Sequence, residues 1–345
     1  MHQTEYKFSG KTISCYFDAE FSYLENLVDK DKIVFITDSN IVKLHADKFE
    51  GKKFIVISAG EKNKQQSSVD FIINELIKLQ ACRETFIIGM GGGVVTDIAG
   101  YAASVYMRGV KFAFIPTSIL AMVDAAVGGK NGVDVGIYKN LVGVIRHPEF
   151  LLYDYSFLKT LPQQEWINGF AEIIKHGCIK DEKLFELLEN NSLEIFQQAH
   201  GKISELIKRN VEIKYNVVAN DEFEKGERKL LNFGHTLGHA VENIYQLPHG
   251  NAVSIGMVAA CKISREVNNF PGEESERVIE LLKKYNLPVT LPFGERRSGA
   301  IWEVLLMDKK KTGDTMNFIL LNKIGKAIVK SIPLTQLKEL IFQNL

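Results

Sequence analysis

Thr85-Phe86-Ile87-Ile88-Gly89-Met90-Gly91-Gly92-Gly93-Val94-Val95-Thr96-Asp97 passes from a β-branched apolar run into clustered glycines and out into the start of a helix. An uninterrupted apolar run of this length reads as a strand buried on both faces, the kind found in parallel sheets. Clustered glycines allow close backbone approach to a pyrophosphate, and the helix beyond them offers free N–H groups with a partial positive charge. The spacing is not GxGxxG, so the stretch reads as a nucleotide-binding turn with a purely structural tight turn as the alternative.

The same texture extends to both sides. Segments 32–37, 54–58 and 111–115 are further short strands, and 67–80 carries Val69, Ile72, Ile73, Leu76, Ile77 and Leu79 at helical spacing. Strand, helix, strand in this order implies right-handed parallel βαβ units. Asp38-Ser39-Asn40, just after the first of these strands, puts polar groups where a cofactor lies, or else caps a helix. Beyond about residue 160 the strands give way to helical patterns at 184–196, 203–218, 236–245, 252–267 and 274–285, with a late hairpin at 317–321 and 327–331. Lys159-Thr160-Leu161-Pro162 marks the joint, since proline suits the first turn of a helix. The expected fold is an α/β N-terminal domain with a Rossmann-like parallel sheet, 1–160, followed by a mostly α-helical C-terminal domain, 161–345, with ligand in the cleft beyond the strand ends.

Composition excludes several classes. The 345 residues hold 42 Lys plus Arg against 42 Asp plus Glu, so no global field favours nucleic acid or anionic lipid. The four cysteines, Cys15, Cys82, Cys178 and Cys261, form no CxxC pair, which argues against a disulfide framework or a cysteine zinc site. Met1-His2-Gln3-Thr4-Glu5 lacks a signal-peptide pattern, and polar residues interrupt the long apolar runs, so a cytoplasmic protein outside the membrane is expected.

The helical half carries metal-ligand chemistry. Asn232-Phe233-Gly234-His235-Thr236-Leu237-Gly238-His239 sets two histidines four apart on one helix face, and His249 follows before Gly250. Upstream, Glu172 and Lys175 sit among apolar neighbours. A carboxylate with two imidazoles makes an open His₂Glu site. Periodicity leaves open which two histidines bind, and the third is free for proton transfer. Basic residues at motif edges, Arg108, Lys130, Lys139, Lys175, Lys214, Arg228, Lys309 and Lys310, suit a ligand carrying both phosphate and carboxylate, although each alone reads as a solvated surface group.

Taken in order, Gly91-Gly92-Gly93 with Asp97, Arg108-Gly109, Pro116-Thr117-Ser118, Asp124 with Gly128-Gly129-Lys130, Lys139-Asn140, Glu172 with Lys175, His235 with His239, His249-Gly250 and Asp308-Lys309-Lys310 resemble the 3-dehydroquinate synthase family over nearly the whole chain. The resemblance implies conversion of 3-deoxy-D-arabino-heptulosonate 7-phosphate to 3-dehydroquinate and phosphate, with NAD and a zinc or cobalt ion, in a homodimer. It implies Glu172, His235 and His249 as metal ligands, and His239, Glu224 and Lys175 as catalytic. Arg108, Asp124, Lys130, Asn140, Lys175, Lys214, Arg228, Asn232 and one of Lys309 and Lys310 correspond to substrate contacts. Asp38, Asn40, Glu61, Lys64, Gly92, Gly93, Val94, Asp97, Thr117, Ser118, Lys139, Phe157, Leu158, Lys159 and Thr160 correspond to NAD contacts. One departure stands out: Asn251 follows His249-Gly250 where the family usually has an acidic residue. The rival readings are another sugar-phosphate cyclase and a metal-dependent polyol dehydrogenase of related fold, the latter needing no polyanion site.

Overall fold

The computed structural model, described over residues 1–136, 138–291, 297–306 and 311–344, builds its large sheet from the apolar runs read above. Strands β1 (His2–Lys7), β2 (Thr12–Phe17), β3 (Ile33–Asp38), β4 (Phe54–Ile57), β5 (Phe86–Gly91) and β6 (Lys111–Pro116) are followed by a hairpin of β7 (Lys130–Val135) and β8 (Tyr138–Ile145), then by β9 (Phe150–Tyr153). The seven-stranded sheet runs β1-β2-β9-β6-β5-β3-β4, with only β1 antiparallel to its neighbour. The three helices α1 (Ser39–Leu44), α2 (Gln66–Lys78) and α3 (Gly93–Val105) connect its parallel strands. Phe35, Ile88, Met90, Ala113, Ile115, Leu152 and Phe157 share one buried core.

Two compact units divide the chain, Met1–Trp166 with Ser204–Glu222 and Ile167–Ile203 with Phe223–Leu345. The sequence boundary at 160/161 lies six residues before the first break, and one helical stretch belongs with the sheet. The later helices are α4 (Gln163–Lys180), α5 (Glu182–Glu189), α6 (Leu193–Gln198), α7 (His200–Asn220), α8 (His235–Tyr245), α9 (His249–Asn268), α10 (Gly272–Lys284), α11 (Ser298–Leu306) and α12 (Leu334–Asn344). A small antiparallel sheet, β10 (Lys311–Thr312), β11 (Thr315–Lys323) and β12 (Lys326–Pro333), realises the late hairpin. It is tied to α9 where Leu321 N donates to Ser264 Oγ at 3.0 Å.

Two local expectations change. The helix expected over 184–196 is two helices, because Asn190 caps α5 and Ser192 restarts the chain as α6. Between the Gly128-Gly129-Lys130 and Lys139-Asn140 motifs, where no strand was expected, stands the β7–β8 hairpin. Gly132 and Gly143 face each other there, and a Cβ on either would strike the opposite backbone.

Helix α3 lies close to the sheet because Gly89 and Gly100 carry no side chain. A Cβ on Gly100 would collide with the Asn131 amide and come within 2.9 Å of Phe114. That amide is occupied, with Nδ2 donating to Gly129 O at 2.9 Å and Arg146 O at 2.8 Å. Gly100→Val is therefore expected to destabilise the first unit by about 1–3 kcal/mol, the usual cost of overpacking. A urea midpoint equal to wild type would contradict this packing.

Candidate active site

Helix α4 carries Glu172 and Lys175 on a face where Ile173, Ile174 and Phe170 are buried, and Glu172 itself has no solvent exposure. Lys175 Nζ donates to Glu172 Oε2. The other oxygen, Oε1, lies 3.3 Å from His235 Nε2 and 3.4 Å from His249 Nε2, aligned for a hydrogen bond with neither. His235 and His249 open α8 and α9, so their rings leave from the helix ends.

The other ring nitrogens fix what these contacts mean. His235 Nδ1 is 3.1 Å from Phe233 O, and a carbonyl only accepts, so Nδ1 carries the proton and Nε2 offers a lone pair. His249 Nδ1 is 3.0 Å from Glu242 Oε2, which leaves its Nε2 pointing at Glu172 as well. Three donor atoms thus converge, all within 4.8 Å of one another. A tetrahedral ion with bonds of about 2.0–2.1 Å spaces its ligand atoms about 3.3–3.4 Å apart. The set therefore fits a small divalent cation.

Charge follows the same geometry. Burial alone would raise the Glu172 carboxyl, but Lys175 and both imidazoles hold it well below the ordinary carboxylate range. Burial pushes His235 down, with the Glu172 charge only partly opposing it. For His249 burial also acts downwards, yet the neighbouring carboxylates of Glu172 and Glu242 push it up to about 10, so a cation would have to take the place of its Nε2 proton.

Of the three histidines, the structure groups 235 and 249 with Glu172. His239 stays outside this donor set, its ring centre 5.3 Å from that of His235 and 6.2 Å from that of His249. Two further residues were not singled out in the sequence. Glu242 lies three positions after His239 on the same face of α8, a spacing that could have drawn notice. Asn168, one turn before Glu172 on α4, accepts from Gly250 N and seats the start of α9. Asn251 Oδ1 is buried without a hydrogen-bond partner among the described residues. The carboxylate beside His249 comes from Glu242.

In the same unit, Arg228 is almost fully buried, and Asn232 Nδ2 donates to Glu224 Oε1 at 2.6 Å. Glu224 holds φ of 58°, a left-handed backbone that costs a non-glycine residue about 1–3 kcal/mol. Asp308, Lys309 and Lys310 lie outside the described residues.

In the first unit, Gly92 caps α3, and a Cβ on Gly93 would stand 3.1 Å from Ala125. Around this turn runs a polar network. Lys64 pairs with Asp97 and donates to Asn140 Oδ1 at 2.6 Å; Lys139 reaches Glu61 at 2.9 Å and Asp134 at 3.2 Å. Asn140, assigned by resemblance to the substrate, thus sits with residues assigned to NAD. Val94 is half-buried beside the turn, and Thr117 N donates to Gly91 O at 2.9 Å. Ser118 Oγ accepts from Ala121 N at 3.3 Å. Asp38 caps α1 by accepting from Asn40 N at 2.8 Å and Ile41 N at 3.0 Å, with Asn40 exposed. Phe157 and Leu158 are buried, Phe157 in the sheet core, while Lys159 and Thr160 are exposed. Asp124, on a π-helical turn, accepts from Lys214 Nζ at 2.7 Å; Arg108 and Lys130 are exposed.

Known proteins resemble this chain in sequence and fold. The N-terminal 3-dehydroquinate synthase family model matches residues 54–168 and the C-terminal one residues 169–311. A 3-dehydroquinate synthase from Clostridium perfringens is 44% identical over 278 residues, covering 80% of this chain and 78% of its own. Among solved structures, a 2-deoxy-scyllo-inosose synthase complexed with carbaglucose-6-phosphate, NAD⁺ and Co²⁺ aligns over 100% of both chains with a TM-score of 0.87 at 27% identity. A 2-epi-5-epi-valiolone synthase from Streptomyces hygroscopicus with NAD⁺ and Zn²⁺ bound aligns over 98% of both, with a TM-score of 0.87 at 25% identity.

The centre depends on backbone fit as much as on its ligands. A Cβ on Gly250 would collide with the Asn168 carbonyl and displace the turn that carries His249. Gly250→Ala is expected to weaken zinc binding about 10–100-fold, the range of changes just outside a ligand shell. Competition with a chromogenic chelator measures this, and unchanged affinity would show that the close approach does not position His249.

Proposed function

The chain belongs to the 3-dehydroquinate synthase family, and on that premise we propose that it converts 3-deoxy-D-arabino-heptulosonate 7-phosphate to 3-dehydroquinate and phosphate, using NAD and a zinc or cobalt ion. The observation that carries the metal part of this reading is the convergence of one atom each from Glu172, His235 and His249 within 4.8 Å, with Glu172 Oε1 3.3 Å and 3.4 Å from the two imidazole nitrogens. The structurally similar cyclases bound to NAD⁺ with Co²⁺ or Zn²⁺ support both cofactors. When bound, the nicotinamide takes and returns a hydride, and the ion polarises the oxygen on the oxidised carbon.

The chain supplies the rest. Glu172, His235 and His249 hold the ion, and the residues about the Gly91-Gly92-Gly93 turn hold the dinucleotide. His239 and Glu224 move protons, Glu224 being oriented by Asn232. Lys175 presents its ammonium beside the ligand carboxylate. Arg108, Lys130, Lys214 and Arg228, with Asp124, Asn140, Asn232 and one of Lys309 and Lys310, bind the phosphate and carboxylate. Charge-assisted hydrogen bonds of this kind contribute about 1.5–3 kcal/mol each.

A second copy of the chain is the proposed partner. Strand β8 leaves Leu141 53%, Val142 38% and Ile145 42% exposed, a concentration of apolar side chains that a homodimer would cover. No described helix is long and apolar enough to cross a membrane, and a cytoplasmic location is part of the proposal.

Two outcomes test these readings. Substrate and product share one redox level, so the hydride taken from C5 must return to C5. Substoichiometric NAD⁺ should therefore support many turnovers with phosphate release and no accumulating NADH, and deuterium at C5 should stay in the product. NADH formed one-for-one with product would replace the cyclase with a polyol dehydrogenase. In sedimentation, Leu141→Lys with Ile145→Glu should convert a dimer to a monomer. A dimer unchanged by both substitutions would remove β8 from the interface.

A further inference from the structure

We infer that Glu242 is the positioning residue of the metal centre, its carboxylate fixing the His249 ring and strengthening that ring as a ligand. The inference rests on the reading of Glu172, His235 and His249 as the ligand set. Glu242 is 7% exposed on α8, on the same face as His235 and His239. A carboxylate taken out of water is expensive unless it is paired, so an idle acid at this place would be a liability to the fold. This one faces His249 Nδ1 at 3.0 Å, on the far side of the ring from Glu172 Oε1.

The two ligand histidines are supported unequally. His235 rests on a neutral acceptor, the Phe233 carbonyl, whereas His249 rests on an acid. Both acceptors hold the tautomer that aims Nε2 at Glu172. Only the acid adds a negative charge that makes the imidazole a stronger donor and offsets the charge of a bound dication. His249 also begins α9, where the helix proper has not yet fixed the ring direction, so its orientation needs an outside anchor. Glu242 therefore acts through His249 and touches neither substrate nor ion.

The test uses full-length protein stripped of metal, with Glu242→Gln and Glu242→Leu. Gln keeps an acceptor for Nδ1 but loses the charge, and Leu loses both. Zinc affinity, measured by chelator competition, should fall in the order wild type, Gln, Leu, with losses of about 10-fold and about 100-fold. The visible absorption of the cobalt-loaded Gln variant should shift from wild type, because the donor strength of one ligand has changed. Melting of the metal-free Gln variant should stay near that of wild type. Should the Leu variant fail to fold, the near-isosteric Gln variant alone decides. Zinc affinity within twofold of wild type and an unshifted cobalt spectrum in the Gln variant would overturn the role of Glu242 and leave the ligand set standing. A wild-type protein that takes up no zinc would overturn both.

Discussion

Removing a carboxylate from water costs several kcal/mol unless opposite charge and hydrogen bonds replace its hydration. Glu172 has no exposure at all: Lys175 answers that demand on one oxygen, and the other faces two imidazole nitrogens, an arrangement that a bound cation would complete. The pairing with Lys175 is local, since the two residues are one turn apart on α4. The pairing with the imidazoles is not, because His235 and His249 come from the starts of two other helices. The second unit must therefore hold three helices in register to within a fraction of an ångström, or leave a buried charge half compensated.

Glycines make that register possible. A Cβ on Gly256 would strike the Gly234 carbonyl, and one on Gly238 would press on Ala252 O at 3.1 Å. Helices α8 and α9 thus touch backbone to backbone, nearer than side chains permit. Gly234 adds a left-handed turn, φ 77°, that starts α8 at His235. Gly250 does the same service at the other helix by fitting under Asn168. The short sequence from Asn232 to Gly256 is glycine-rich because its backbone has to occupy space that elsewhere belongs to side chains. Its histidines are useful only because of that fit.

Elements with a strong period were legible: β3 to β6, α2 and α7 to α10 lie within a few residues of their expected bounds. Weak periods hid the rest. Strand β1, His2–Lys7, is a polar edge, β9 has only four residues, and β7 with β8 carry glycines that read as loop. The candidate metal ligands were named by residue type and spacing, the resemblance selected Glu172, His235 and His249 among them, and the structure brings their donor atoms within 4.8 Å of one another. Glu242 was missed: its spacing from His239 places it on the histidine face of α8, but does not announce a partner seven residues on. Asn251 drew attention by its position after His249-Gly250, yet the acid that His249 meets comes from a different helix. Sequence proximity was a poor guide there because side chains at a helix start are aimed by the neighbouring helix, not by the next residue.

The assigned anion-binding residues raise a further point about selectivity. With equal numbers of acidic and basic side chains, the chain has no excess charge to attract an anion at a distance. Its buried lysines are also already engaged: Lys64 with Asp97, Lys175 with Glu172 and Lys214 with Asp124. This follows from the same rule that governs Glu172, because a buried ammonium without an acid would not stay charged. An anionic ligand reaching these lysines must therefore compete with an internal carboxylate, and only groups of matching charge and position can do so. A ligand lacking its phosphate or its carboxylate leaves the internal pair intact and gains nothing from it. On the proposed assignment of these lysines, affinity would be sacrificed for discrimination, as expected where rejection is built from pairs that the wrong ligand cannot displace.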